Sequence, residues 1–239
     1  MKYYSQSDQD RFMDEYVFQG KTNGFFVDIG AHDGISLSNS YMFEQERGWQ
    51  GICIEPLPNR FKDCRANRRG ICIQGCISRE PGIRKFTIAE GSDMLSGLSD
   101  AISTEHYARM RSEKVTPTEI EVQCYTFNDI MAAYNVDQIN FCSIDTEGVE
   151  LEILETIDFN KYRPTCFTVE DNGRVLAIWR LMKKHGYVLV ERLGGDLVFV
   201  ERSHALSMPR VGFLRRGVLP RRLVKSVVLR LLRKLHKLL

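Results

Sequence analysis

The sequence lacks several features that would each point to a ready class of protein. None of its seven cysteines stands in a C-x-x-C pair, so zinc-site and redox-motif readings have no ligand spacing to rest on. There are no internal repeats and no low-complexity tracts, and the balance of 43% hydrophobic to 27% charged residues excludes collagen-like and disordered chains. A length of 239 residues suits one globular domain, or one domain with an appendage. No charged-then-apolar leader follows Met1, which with the cysteine usage sets the expectation of a reducing, cytoplasmic compartment rather than a disulfide-stapled secreted protein. Charge of one sign is missing from one region: residues 202–239 hold eleven Lys or Arg and no Asp or Glu. The other 22 basic residues face all 31 acidic ones, so residues 1–201 carry a formal −9 beneath an overall +2. Such a tail speaks to partners more than to fold.

Short apolar runs alternate with amphipathic stretches, the rhythm of an α/β protein with a buried parallel sheet. Strands are expected at Phe25–Ile29, Gly51–Glu55, Ile71–Cys76, Phe141–Asp145 and Cys166–Glu170. Helices are expected at Ser36–Glu46, Pro58–Asn67, Phe127–Tyr134, Val149–Thr156 and Arg174–His185. Tyr187–Arg192 and Leu197–Glu201 flank Gly194-Gly195-Asp196, a tight-turn signal for a closing antiparallel pair. A second pair, Arg84–Ala89 and Ile120–Tyr125, brackets a polar stretch at 90–119 that reads as an insertion or lid. The chain therefore divides into a domain over 1–203 and a tail over 204–239. Six cysteines fall on expected strands and Cys64 on a helix, which favours small buried hydrophobes over metal or redox chemistry.

The most specific segment is Phe25–Ser36, FFVDIGAHDGIS, a strand running into a glycine-rich turn at the carboxyl edge of the sheet. The spacing is D-x-G-x-x-x-G, not the dinucleotide G-x-G-x-x-G, and Asp28 and Asp33 would repel a diphosphate. Acidic residues here suit a cationic or zwitterionic cofactor such as S-adenosylmethionine. Glu55, at the end of the second strand and followed by Pro56, stands where a carboxylate could accept both ribose hydroxyls of an adenosine-containing ligand. After the third strand, Cys76 and Ile77 either pack on a base or simply fill core, and His32 reads as a solvated loop residue.

Two further strand ends carry carboxylates, in SIDTEG (Ser143–Gly148) and VEDNG (Val169–Gly173). Neighbouring parallel strands would bring Asp145, Glu170 and Asp171 or Asn172 together, a costly convergence unless a cation or proton is shared. One reading is a hard-cation site for Mg²⁺ or Mn²⁺ that also lowers the pKa of a substrate hydroxyl. The other is a carboxyl with a raised pKa acting as general base. Glu147 and Glu150 have a plainer account as acids in the first turn of the next helix.

The sequence resembles the FkbM-type methyltransferases, which use S-adenosylmethionine. The resemblance is carried by YSQSDQD (Tyr4–Asp10), GFFVDIGAHDGISLSNSYMFE (Gly24–Glu44), GWQGICIEP (Gly48–Pro56), FCSIDTEGVELEIL (Phe141–Leu154), FTVEDNG (Phe167–Gly173) and HGY (His185–Tyr187). It implies a Rossmann-like class I methyltransferase fold with a mostly parallel seven-stranded sheet and an oxygen acceptor, often a sugar or natural-product hydroxyl. It further implies that Asp28, Gly30, Asp33 and Gly34, with Ala31 between them, hold the methionine portion. Glu55 would bind the ribose, with Pro56, Cys76 and Ile77 completing the cofactor site, and Asp145 would lie between cofactor and acceptor. Looser analogy to metal-dependent small-molecule O-methyltransferases makes Asp145, Glu170 and Asp171 candidate ligands, and Asp145 and Glu170 the catalytic carboxylates.

After Pro220 the tail reads RRLVKSVVLRLLRKLHKLL. On a helical projection Leu223, Val224, Val227, Leu231 and Leu235 share one face while Arg222, Lys225, Arg230, Arg233 and Lys237 share the other. Charges recur too often for a transmembrane span. A basic amphipathic C-terminal helix over 220–239 suits an anionic membrane surface, placing the protein peripherally on the inner face of the membrane; docking on the acidic body or on a second subunit are its rivals. Nucleic acid is disfavoured, since no aromatic platform accompanies the charges. The expected function is O-methylation of a sugar or glycan hydroxyl, lipid-linked in one version. A natural-product hydroxyl and a non-catalytic membrane-associated scaffold are the alternatives, and a homo-oligomer is left open.

Overall fold

The computed structural model describes residues 1–92, 95–102 and 104–208. Seven strands form the main sheet: β1 (Phe25–Ile29), β2 (Gln50–Glu55), β3 (Ile71–Gln74), β8 (Phe141–Ile144), β9 (Cys166–Glu170), β10 (Tyr187–Leu193) and β11 (Asp196–Glu201). Their spatial order is β10-β11-β9-β8-β1-β2-β3, and β11 alone runs against its neighbours. This is the mostly parallel Rossmann-like sheet with a closing antiparallel pair that the sequence predicts.

Both faces of the sheet are apolar because the strands are near-continuous Val, Ile, Phe and Cys runs. Val27, Ile29, Ile52 and Ile54 face α5 (Phe127–Ala133), α6 (Glu150–Thr156) and α7 (Val175–Lys184). Phe26, Cys53, Phe141 and Cys166 face the other way, onto α1 (Gln9–Phe12) with the π-helical turn Met13–Val17, α2 (Tyr41–Arg47) and α3 (Pro58–Asn67).

Three expectations need correction. The helix expected from Ser36 begins only at Tyr41; Ser38 and Ser40 turn their hydroxyls inward to Asp28, and Leu37 takes a positive φ of 58°, so residues 36–40 form a loop. The third strand does not run unbroken to Cys76. Gly75 (φ 150°) diverts the chain out of the main sheet, and β4 (Cys76–Ile77) joins a second sheet, β4-β7-β5-β6, with β5 (Gly82–Ala89), β6 (Gly97–Leu98) and β7 (Pro117–Tyr125). The expected lid at 90–119 is thus part of a larger layer that also carries α4 (Thr104–Ser112). Finally, the domain does not stop at residue 203: α8 (Arg202–Ser207) packs back, with His204 Nε2 2.8 Å from the Val17 carbonyl and Met208 buried.

The tail over 209–239, with the amphipathic helix and membrane contact expected of it, lies outside the described residues. Among the described residues no helix is long and apolar enough to cross a membrane.

A Cβ at Gly75 would sit 2.5 Å from the Gln123 carbonyl oxygen. Gly75→Ala is therefore expected to destabilise the protein by about 1–3 kcal/mol, measured by urea unfolding; an unchanged midpoint would show that the crossover tolerates a side chain.

Candidate functional site

The carboxyl ends of β1, β2 and β8, with the loops that follow them, enclose the cavity that holds most of the chemistry. Its position follows from topology. Chain order reverses across β1, between β2 and β8, and in such sheets the crevice opens at that point. Gly30 (φ 86°) makes the approach possible, since a Cβ there would lie 1.8 Å from the Asp145 carbonyl oxygen. Its N–H donates to the Ile54 carbonyl at 2.9 Å, locking the first loop to the second strand.

Asp28 lies on the floor, buried and lining the cavity. It accepts from the Ser40 hydroxyl and, at 3.4 Å, from that of Ser38. Arg68, from the end of α3, donates to Ser40 Oγ at 2.7 Å and to the Gly34 carbonyl at 2.8 Å, and pairs with Glu44 at 3.4 Å. Burial raises the Asp28 pKa; the Arg68 charge and the serine hydroxyls oppose the rise. Glu55 is fixed at both oxygens, accepting the His32 N–H at 2.8 Å and the Leu57 N–H at 2.9 Å. Asn39 spans the sheet, its amide N–H donating to Ser143 Oγ at 3.2 Å and Asp196 at 3.4 Å, while its Oδ1 is buried at the cavity wall with no partner. A buried acceptor left in that state is unfavourable until a donor meets it. Ile77, Phe86, Leu98 and Val149 supply an apolar side, so the second sheet closes over the cavity.

Of the residues singled out by sequence, the structure gathers Asp28, Gly30, Ala31, Glu55, Pro56, Cys76, Ile77 and Asp145 around this cavity. Asp33 and Gly34 are not among its lining. The Asp33 carboxylate turns onto its own loop, accepting the Ile35 and Ser36 N–H groups at 2.9 and 2.7 Å. His32, on the loop at φ 50°, also lines the cavity while its side chain stays part-exposed.

The acidic cluster also differs in membership. Carboxylate oxygens of Asp145, Glu147 and Glu170 lie within 4.8 Å of one another. Glu147, which sequence assigned to a helix turn, has φ 56° and faces the cavity, because α6 starts only at Glu150. Glu150 is the buried brace of that loop: its Oε1 accepts from Thr146 N at 3.1 Å and Gly148 N at 2.9 Å. Asp171, expected as a metal ligand, is drawn away into an ion pair with Arg192 of β10 and accepts the Gly173 N–H at 2.9 Å. Asn172 instead donates to Glu170 at 2.6 Å.

Burial, then the Asp145, Glu147 and Glu150 charges, push Glu170 up to about 11. Enclosure by protein and the Glu147, Asp196 and Glu150 charges raise Asp145 as well. The Asp145 side chain is nevertheless open to water in the cavity, so charge crowding weighs more for it than desolvation. The physical result is a pair holding one proton, with Glu170 donating and Asp145 facing the cavity.

The family model for the methyltransferase FkbM domain matches residues 28–189. No curated protein matches the chain. Among solved structures, the chain is similar to methyltransferase FkbM from Methylobacillus flagellatus KT, at TM-score 0.45 and 12% identity over 74% of this chain and 43% of that one. This chain thus spans less than half that protein's length. It is also similar to a methyltransferase from Pyrococcus furiosus (TM-score 0.40, 12% identity, 84% and 88% covered). A third neighbour is precorrin-6y C5,15-methyltransferase from Geobacter metallireducens GS-15 (TM-score 0.35, 10% identity, 75% and 80% covered).

Glu170, Asp145, Asp28 and Asp196 all have raised values, so the folded state keeps protons that the unfolded chain has lost above about pH 4. Their contribution is full below the unfolded values and is lost as pH rises toward the folded ones, by up to about 1.4 kcal/mol per pH unit for each proton so retained. The melting temperature is expected to fall between pH 6 and pH 9, and Glu170→Gln to flatten that profile and exceed the wild type at pH 9. Parallel profiles for the two proteins would contradict the shared proton.

Proposed function

The chain belongs to the FkbM methyltransferase family, and on that premise we propose that it is an S-adenosylmethionine-dependent O-methyltransferase acting on a sugar or glycan hydroxyl. One observation carries the reading: the same cavity is lined by Asp28, Asn39 and Glu55, acceptors suited to a cationic adenosine-containing cofactor, and by Asp145 and Glu147. The residues fit that cofactor. The orphaned Asn39 Oδ1 needs an N–H donor, which an ammonium group provides. Asp28 beside it favours positive charge, Glu55 offers a fixed carboxylate to ribose hydroxyls, and Ile77 and Phe86 offer an apolar face to a base.

S-adenosylmethionine would supply a methyl group on a positively charged sulfur, a leaving group that needs no acid. The chain's task is then alignment and removal of one proton. Glu170 holds the pair's proton, and Asp145 is the member that lines the cavity. The Asp145–Glu170 pair would take up the proton of the acceptor hydroxyl from that side. A second reading draws on the same cluster: Asp145, Glu147 and Glu170 offer oxygens close enough for a hard cation such as Mg²⁺ or Mn²⁺, which would lower the hydroxyl pKa directly. The sugar acceptor rests on the family resemblance. The alternation of Lys and Arg with Leu and Val in the sequence of 220–239 supports an anionic membrane surface at which a lipid-linked glycan would be met.

The test is transfer of labelled methyl from S-adenosylmethionine to a panel of sugars and lipid-linked oligosaccharides. Asp145→Asn is expected to slow transfer at least about 100-fold, while Asp28→Ala abolishes cofactor binding by calorimetry. Unchanged affinity in Asp28→Ala, or no hydroxyl acceptor in the panel, would sink the reading, and activity surviving exhaustive chelation would remove the cation.

A further inference from the structure

Three cysteines that the proposed chemistry does not use meet within one strand-helix-strand unit. Cys53 of β2 and Cys72 of β3 are register partners on adjacent parallel strands, so their side chains leave the same face of the sheet. Cys64 comes down on them from α3, the helix that connects the two strands. The three sulfur atoms lie within 4.8 Å of one another, and Cys64 Sγ is 3.9 Å from Cys72 Sγ. All three are free thiols, Cys53 and Cys64 buried, and Cys72 half-buried on the edge strand of the main sheet.

We propose that Cys53, Cys64 and Cys72 form a binding site for a thiophilic cation of the zinc class, with three thiolate ligands and a fourth position left to water on the Cys72 side. Sulfurs bound at about 2.3 Å to one ion stand about 3.8–4.0 Å apart in tetrahedral or trigonal geometry, and the Cys64–Cys72 pair already stands at 3.9 Å. An all-sulfur ligand set selects zinc-class and cuprous ions over magnesium or calcium. Charge is accommodated too: a divalent ion with three thiolates carries −1, and the Arg68 and Arg65 cations act on this cluster. The spacing rules of sequence motifs do not reveal such a site, because its ligands converge through strand register and a crossover helix instead of a short loop.

The site adjoins the cofactor loop. Arg68 lies one turn after Cys64 on α3, its backbone N–H bonded to the Cys64 carbonyl at 2.9 Å, and its guanidinium holds Ser40 and the Gly34 carbonyl. An ion that ties α3 to β2 and β3 therefore steadies the residue that fixes the Asp28 wall of the cavity.

The test titrates the reduced, metal-free full chain with cadmium and zinc ions. One cadmium per chain is expected, with the ultraviolet charge-transfer absorbance of three thiolates, and zinc should compete for it one to one. Cys72→Ser and Cys64→Ser should each weaken zinc at least about 100-fold, and zinc should raise the melting temperature of the wild type but not of Cys72→Ser. Cys124→Ser, which alters the separate Cys76–Cys124 neighbours, should bind as the wild type does. Uptake of less than one ion per chain, absorbance of only two thiolates, or an affinity lost in Cys124→Ser but kept in Cys72→Ser would overturn the site. Because the readouts are metal uptake and melting, a failed methyl-transfer assay leaves this outcome independent.

Discussion

The geometry of the cavity depends on how closely the ends of β1 and β8 approach. With no side chain at Gly30, the Asp145 carbonyl comes to where a Cβ would stand, and the backbone N–H of Asp145 donates to the Ile29 carbonyl at 3.0 Å. That contact sets the depth of the crevice on the side where chain order reverses. It also determines that Asp145 and Asp28, two residues with no sequence proximity, face one space. Everything acidic in the site is arranged around a backbone contact that carries no charge.

Bringing carboxylates together in this way is unfavourable unless each is answered, and the two ends of the cavity answer differently. At the β1 end Arg68 supplies a buried cation, flanked by Phe26 at 4.9 Å and Tyr41 at 5.5 Å, hydrogen-bonded to Ser40 and the Gly34 carbonyl and paired with Glu44 at 3.4 Å. At the β8 end Glu170 keeps a proton, held there by burial and by the Asp145, Glu147 and Glu150 charges. One carboxylate site is structurally settled, while the other is left in need of a proton or cation. Reactivity belongs with the second.

Much of this was legible in sequence. Pro58 at the first turn marks α3 to the residue, and the Val, Ile, Phe and Cys runs mark β1, β2, β8 and β9. The loop Asp28–Gly34 and the strand-end acids could be placed at one sheet edge from strand order alone. What escaped depended on local turns and distant partners. Asp33 followed by Gly34 and Ser36 is an Asx-turn pattern, and it signals a carboxylate spent on its own backbone. An acid just ahead of a helix reads as part of its first turn, but the positive φ of Glu147 and Gly148 turns Glu147 away from that role. Arg192 reaches Asp171 from a hairpin strand 21 residues on, a pairing no spacing rule contains.

The crossover at Gly75 has one more consequence. Cys76 and Ile77 of β4 pair with Cys124 and Tyr125 of β7, so the chain leaves the main fold and returns to it at adjacent points. Everything between, residues 78–123, hangs on that double stem. Ion pairs of Arg79 with Glu155 and Arg84 with Glu152 tie it to α6 as well. Its Phe86 and Leu98 reach the cavity wall, so a segment outside the main sheet shapes what the cavity admits.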